Sequence, residues 1–258
     1  MNLNKLFDLS PYALLTIIVI FVCAVGYLGY FLRKRWRRRH ADDKIHSRVS
    51  GAAIGVLSLL MAFTFSVAIT KFETQRRIIA QEAAYINTAI LRCDLYPDSI
   101  RNLLRAEFKN YIEARIEYYN ELDNDVAAQK LKMASLVSNK IWASVASLSE
   151  NSEYAMRSAQ MIPAITNVID ISITRDGEKI SKVPVLVLWV LVIFMLIDGF
   201  ILGLEIFDKN KPFAVMYANA LVMALTLNLI IELHQPRTGL INLDAVEQKI
   251  VDLRELFK

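Results

Sequence analysis

Four long apolar segments constrain what this chain can fold into. Each has 20 to 22 residues, and Asp198 is the only charged side chain in any of them. A helix of about 20 apolar residues crosses the hydrocarbon core of a bilayer, because each residue adds about 1.5 Å. The 55% hydrophobic content exceeds the roughly 45–50% typical of soluble domains. We predict an all-α membrane protein with four transmembrane helices, at residues 11–32, 51–70, 183–204 and 212–231.

The loop between the first two spans, residues 33–50, is strongly basic. It holds eight lysines and arginines against two aspartates, a net charge of +6, whereas the whole chain sums to +4. Such loops usually lie in the cytoplasm. A basic stripe can also bind nucleic acid, but a position beside a span favours anionic lipid headgroups. We therefore predict an inner (plasma) membrane protein without a nucleic-acid partner, whose N-terminus, C-terminus and residues 71–182 lie outside the cytoplasm.

Residues 71–182 predict a soluble helical bundle inserted between the second and third spans. The segment is nearly devoid of glycine and proline, and apolar residues recur at helical spacing. Its first helix follows span two without a breaker, which predicts one continuous rod. Asn120–Asp125 is typical of a connection, and Asp176-Gly177 is typical of a turn.

The end of the chain, residues 234–258, predicts an amphipathic C-terminal helix. Val246 and Ile250 share its apolar face, and Asp244 with Glu247 resembles a capping box. Such a helix packs on the bundle or lies on the membrane surface, and the sequence leaves both open.

Span two carries a stripe of small and hydroxyl-bearing side chains on one face. These residues recur every four positions: Ser58, Ala62, Ser66 and Thr70. The simplest interpretation is close helix packing, and the alternative is a pore lining whose hydroxyls coordinate a partly dehydrated ion. Phe63 is the aromatic candidate for the same pore. Phe65 lies about 200° further around the helix, so both cannot line one pore.

Three polar residues inside or at the end of a span are candidates for a gate or an ion path. A charge at mid-bilayer costs about 2.5–3.5 kcal/mol, so Asp198 should face protein or water. It either bonds a neighbouring helix or the basic loop, or it acts as a gate. Asn228 and Glu232 close span four, where they form a helix-end hydrogen-bond cluster or an ion vestibule.

No enzyme or metal motif is present in the sequence. The eight glycines do not form a phosphate-binding loop, and G-x-S-x-G, H-E-x-x-H and paired-cysteine motifs are absent. The three histidines and two cysteines lack metal-ligand spacing. We therefore expect no catalytic residue, no cofactor and no metal.

Two stretches resemble a known family. They are GVLSLLMAFTFSVAITKFETQRRIIAQEAAYINTAILRCDLYP at 55–97 and LIIELHQPRTGLINL at 229–243. Together they resemble the bacterial membrane proteins described as bestrophin-like. The matching positions are Glu82, Arg92, Pro97, Arg175, Pro184, Pro236 and Gly239. The acidic-basic pair that precedes the last proline in that family is replaced here by His234 and Gln235.

The resemblance implies a homo-oligomer in the lipid bilayer, pentameric in bestrophins, that conducts small anions past a hydrophobic neck. It also implies a cytoplasmic bundle, on the opposite side from the one that the charges predict. The alternative function is a non-conducting scaffold or sensor whose bundle binds a partner. A channel needs Ser58, Ser66 and Thr70 to meet water, whereas a scaffold would bury them between helices.

Overall fold

The computed structural model describes residues 11–36, 46–121, 123–180, 185–208, 211–234 and 241–258. Within these ranges the chain forms α-helices and two short 3-10 turns, and no strand occurs. The helices are α1 (Pro11–Trp36), α2 (His46–Arg92), α3 (Asp98–Asn120), α4 (Asn124–Ser149), α5 (Ala155–Ile180), α6 (Val185–Asp208), α7 (Ala214–His234) and α8 (Asp244–Asp252). Helices α1, α2, α6 and α7 are long and apolar enough to cross a membrane, which confirms the predicted fold class.

Helix α2 is the longest element, with 47 residues, or about 70 Å at 1.5 Å per residue. The predicted continuous rod is confirmed. Neither glycine nor proline occurs from Val56 to Tyr96, so nothing in the sequence interrupts the helical hydrogen bonds. A 3-10 turn at Cys93–Leu95 ends the rod, and Pro97 then occupies the N-cap of α3.

The chain divides into two compact units. The first comprises Met1–Phe72 and Lys182–Asn242, and the second comprises Glu73–Ser181 and Leu243–Lys258. The first unit contains the apolar helices, and the second contains α3, α4, α5, α8 and the C-terminal part of α2.

Glycines bring α1 and α6 into close contact in the first unit. A Cβ atom at Gly203 would overlap the carbonyl oxygen of Gly26, and one at Gly29 would overlap the carbonyl oxygen of Phe200. Gly199 lies against Val22 in the same way. Small residues allow the two backbones to approach closely. This close packing stabilises helix association in lipid, where the hydrophobic effect does not drive helices together.

The second unit is a helical bundle with an apolar core. Helix α3 packs against α4, and α4 packs against α5. The connection predicted at Asn120–Asp125 is confirmed, since α3 ends at Asn120 and the Asp123 carboxylate caps α4 by accepting from the amides of Asp125 and Val126. The turn predicted at Asp176-Gly177 is wrong: α5 continues to Ile180. Gly177 is exposed in open space, and the cost of glycine in a helix, about 1 kcal/mol, does not stop α5 there.

The C-terminal segment packs on the bundle rather than standing apart from it. Helix α8 and the following 3-10 turn, Leu253–Phe257, lie against α3. Leu243, Val246, Ile250 and Leu253 are buried there. The predicted capping box is wrong, because Leu243 is the N-cap and makes no side-chain cap bond. The Asp244 carboxylate instead accepts a 2.6 Å hydrogen bond from Tyr119.

Candidate functional site

Helix α2 has two different faces in the first unit. Leu57, Met61, Thr64 and Ala68 are buried, and their spacing of three to four residues places them on one side of the helix. The opposite side is exposed, and we call it the outer face of α2. All five residues predicted to line a pore are exposed: Ser58, Ala62, Phe63, Ser66 and Thr70.

The centre of the outer face combines large apolar residues with hydroxyls. Leu59 and Phe63 are the most exposed large apolar side chains in the described part of α2, at 71% and 68%. At about 100° per residue, Leu59, Ser66 and Thr70 fall within about 40° of one another. Along the helix, the apolar residues Leu59 and Phe63 come before the hydroxyl-bearing residues Ser66 and Thr70. The distance along the helix axis from Leu59 to Thr70 is about 16 Å.

Sequence reasoning missed Leu59. The signal was present, since Leu59 lies four residues before Phe63 and seven before Ser66, on the same helix face. The structure also separates the two phenylalanines. Phe63 is on the outer face, whereas Phe65 is partly buried and packs against the apolar core of the first unit.

The Thr70 hydroxyl is compatible with an apolar environment. Its Oγ1 donates a 2.8 Å hydrogen bond to the carbonyl oxygen of Ser66, one helical turn earlier. This bond satisfies the hydroxyl donor without interrupting the helix. The outer face therefore offers polar oxygen atoms and no charge between residues 54 and 70.

Asp198 lies between helices and not on an exposed face. It is 3% exposed, and its Oδ2 accepts a 2.7 Å hydrogen bond from Asn219 of α7. The sequence left two contacts open for Asp198, a neighbouring helix or the basic loop. In the structure Asp198 bonds the neighbouring helix α7. The adjacent Gly199 and Gly203 form the close contact with α1 described above. A buried carboxylate with a bonded neighbour avoids the cost of facing lipid.

The Glu232 side chain and one polar atom of Asn228 are buried at the end of span four. Glu232 is 6% exposed, and its Oε2 lies 3.5 Å from the amide nitrogen of Ile241. The Oδ1 atom of Asn228 is buried without a hydrogen-bond partner among the described residues. The family positions Pro184, Pro236 and Gly239 lie outside the described residues.

A buried charge cluster occupies the centre of the bundle. The Glu82 carboxylate of α2 is fully buried, and its two oxygens pair with different helices. Arg115 Nε of α3 lies 2.8 Å from Oε1, and Arg175 Nη1 of α5 lies 2.5 Å from Oε2. Arg175 also pairs with Glu247 of α8, and Asp176 lies 3.6 Å from Arg115. Four helices thus contribute to one network.

The charges in this cluster sustain one another. Burial alone would raise the pKa of Glu82, but Arg115 and Arg175 outweigh it, and the pKa of Glu82 is below its ordinary value. Burial alone would lower the pKa of Arg115, but Glu82 outweighs it, and the pKa of Arg115 is raised. Both groups are therefore ionised at neutral pH, as buried charges in proteins must be paired.

Sequence reasoning pointed to Glu82 and Arg175, but it missed Arg115 and assigned Glu247 to a capping box instead of to this cluster. These two partners are buried charges on helices far apart in the chain, and no spacing rule connects them to Glu82. Two further family positions lie in the described part of the chain. Arg92 of α2 donates to the carbonyl oxygen of Gln160 of α5, and Pro97 occupies the N-cap of α3.

Solved structures of bacterial bestrophins have a similar fold. A bestrophin homolog from Klebsiella pneumoniae aligns with a TM-score of 0.68 over 92% of this chain and 98% of that chain, at 11% identity. A variant of that homolog aligns at 0.66 over 93% and 98%, at 10% identity. A structure described as a membrane protein aligns at 0.71 over 94% and 97%, also at 10% identity. At these identities the likeness is one of fold.

The sequence itself carries the family assignment. No curated protein sequence matches this chain significantly. A family model described as the Bestrophin-like domain, however, matches residues 19–246, which is most of the chain. Together with the four apolar helices, this match identifies a multi-pass membrane protein that belongs to the bestrophin-like family.

Proposed function

We propose that this protein is a homo-oligomeric ion channel of the bestrophin type, with the outer face of α2 lining the pore. The observation that carries the proposal is the exposure of Leu59, Phe63, Ser66 and Thr70 opposite the buried face of the same helix. Copies arranged around a closed symmetry axis would bring these side chains together. Leu59 and Phe63 would then form an apolar constriction, followed by a ring of hydroxyls.

The chemistry of this face favours a pore over a lipid contact. Lipid tails offer no partner to a hydroxyl, so a helix that faces only lipid gains nothing from Ser58 and Ser66, whereas Thr70 satisfies its own hydroxyl within the helix. A scaffold would use these small residues for packing within the chain, yet they are exposed in it. The resemblance to bestrophins implies small anions as the conducted ions and a pentamer as the assembly, and the family match supports extending both to this chain.

We expect the purified protein in liposomes to conduct chloride, and Ser66→Trp to reduce the flux by roughly tenfold or more. The indole would fill a pore at the hydroxyl ring, next to the apolar constriction. Val222→Trp on an exposed side of α7 is the matched control and should conduct like the unmodified protein. The measurement is chloride efflux at equal protein-to-lipid ratio.

Two results would contradict this proposal in different ways. Flux that persists in Ser66→Trp would place the pore elsewhere in the protein. An absence of flux from a folded oligomer, over a range of pH and calcium concentration, would favour the scaffold or sensor whose bundle binds a partner.

The charges support an orientation with residues 33–50 in the cytoplasm and the bundle outside it. The test uses a reporter enzyme that is active only outside the cytoplasm. Inserted in Asn120–Asp125, between α3 and α4, this reporter should therefore be active. The same reporter inserted after Lys258 should give the same result, since an even number of spans separates the two sites. Cytoplasmic activity at both sites would reverse the orientation and match the side implied by bestrophins.

A further inference from the structure

Helix α2 also has a buried and an exposed face in the second unit. Ile79, Glu82, Ile86 and Ile90 are at most 2% exposed and follow each other at helical spacing. The exposed residues of this part of the helix are Glu73, Arg76, Arg77, Gln81, Ala84, Thr88 and Leu91. Three of them are charged: Glu73, Arg76 and Arg77.

Arg77 shares a face of α2 with the hydroxyls. It lies seven residues after Thr70 and eleven after Ser66 in one uninterrupted helix. Seven residues make two turns of about 3.6 residues, so Thr70 and Arg77 differ by about 20° around the helix and by about 10 Å along it. In the proposed channel, an ion path along this face of α2 would pass the guanidinium group.

The positive charge at this position is not neutralised by the helix. Glu73 pairs with Arg76, whose Nη1 lies 3.0 Å from the carboxylate. Arg77 makes no ion pair or hydrogen bond with any described residue. If Glu73 paired with Arg77 instead of Arg76, one arginine would still lack a carboxylate partner on this part of the helix. Glu73, Arg76 and Arg77 together carry a net charge of +1 in either case. The next acidic residue along α2, Glu82, lies on the buried face.

We infer that Arg77 determines ion selectivity, by forming a ring of positive charge that favours anions at one end of the pore. The inference rests on the proposed channel function. The unpaired guanidinium groups, one from each copy, would lie together around the symmetry axis. Rings of arginine or lysine in a pore select anions. The positive potential of such a ring raises the local concentration of anions and lowers that of cations.

The test is the reversal potential of the reconstituted full-length protein under a potassium chloride gradient. The unmodified protein should prefer chloride, Arg77→Gln should reduce the chloride-to-potassium permeability ratio, and Arg77→Glu should reduce it by roughly tenfold and invert the preference. Lys132→Gln, which removes the same charge from an exposed position on α4, should leave the ratio unchanged. Raising the salt to about 1 M should weaken the preference, because the Debye length falls to about 3 Å.

The outcomes separate this inference from the channel proposal. Conduction with an unchanged permeability ratio in Arg77→Gln and Arg77→Glu would overturn the role of Arg77 and leave the channel intact. Conduction with a preference for potassium in the unmodified protein would overturn it as well. An absence of any flux in the unmodified protein would overturn both the channel and the role of Arg77.

Discussion

Replacing Arg115 by methionine is expected to lower the free energy of unfolding by about 3–5 kcal/mol. The guanidinium is 1% exposed and pairs at 2.8 Å with a fully buried carboxylate. Methionine fills similar space but leaves Glu82 with Arg175 alone. Arg175 is itself shared with Glu247, so the negative charge in the cluster would be poorly compensated. Removing one partner of a buried pair costs more than the pair contributes, because the remaining charge stays out of water.

Arg254→Met is the matched control in the same bundle. Arg254 pairs with Glu113 through two hydrogen bonds, but both side chains are partly exposed, so its loss should cost at most about 1 kcal/mol. Thermal unfolding of the full-length protein in detergent, followed by circular dichroism, should show a fall of roughly 6–20 °C for Arg115→Met and under about 4 °C for the control. Equal shifts would show that the buried cluster contributes no more than a surface pair.

Replacing Gly203 by alanine is expected to disrupt the contact between α1 and α6. The added methyl group would overlap the carbonyl oxygen of Gly26, which belongs to the backbone and cannot rotate away. The two helices must then separate, and each would lose the close packing that holds helices together in lipid. Overpacking of this kind costs about 1–3 kcal/mol and more where backbone must move.

Gly177→Ala is the control for the glycine-to-alanine change itself. Gly177 lies inside α5 with open space around its Cα atom, so alanine should be neutral or stabilise the helix by about 0.5–1 kcal/mol. The measurement is the yield of monodisperse protein and its thermal unfolding in detergent. A Gly203→Ala protein as stable as the Gly177→Ala protein would contradict the tight α1–α6 contact.

The membrane fold was predictable because the bilayer imposes a single length and polarity on any segment that crosses it. The four apolar stretches satisfy that requirement without reference to any other part of the chain. The rod of α2 was predictable for a similarly local reason, the absence of glycine and proline over some 40 residues. The break between α3 and α4 followed from polar residues that favour turns and caps.

The failures of sequence reasoning have a common cause, which is that the missing information lies on another helix. Asp176-Gly177 has the composition of a turn, yet α5 continues through it, with Asp176 lying 3.6 Å from Arg115. Asp244 and Glu247 have the spacing of a capping box, yet both carboxylates bond residues of the bundle. Local patterns could not reveal partners more than 60 residues away.

The sequence by itself determined the four apolar helices, the continuous rod of α2 and the family, since these depend on short-range periodicity and on the polarity of the bilayer. It also placed Ser58, Ser66 and Thr70 on one face, because helical geometry alone does so. Only the tertiary structure decided that this face is exposed and that Phe65 packs against the apolar core. Burial depends on which side of α2 the other helices cover, and that is a property of their packing.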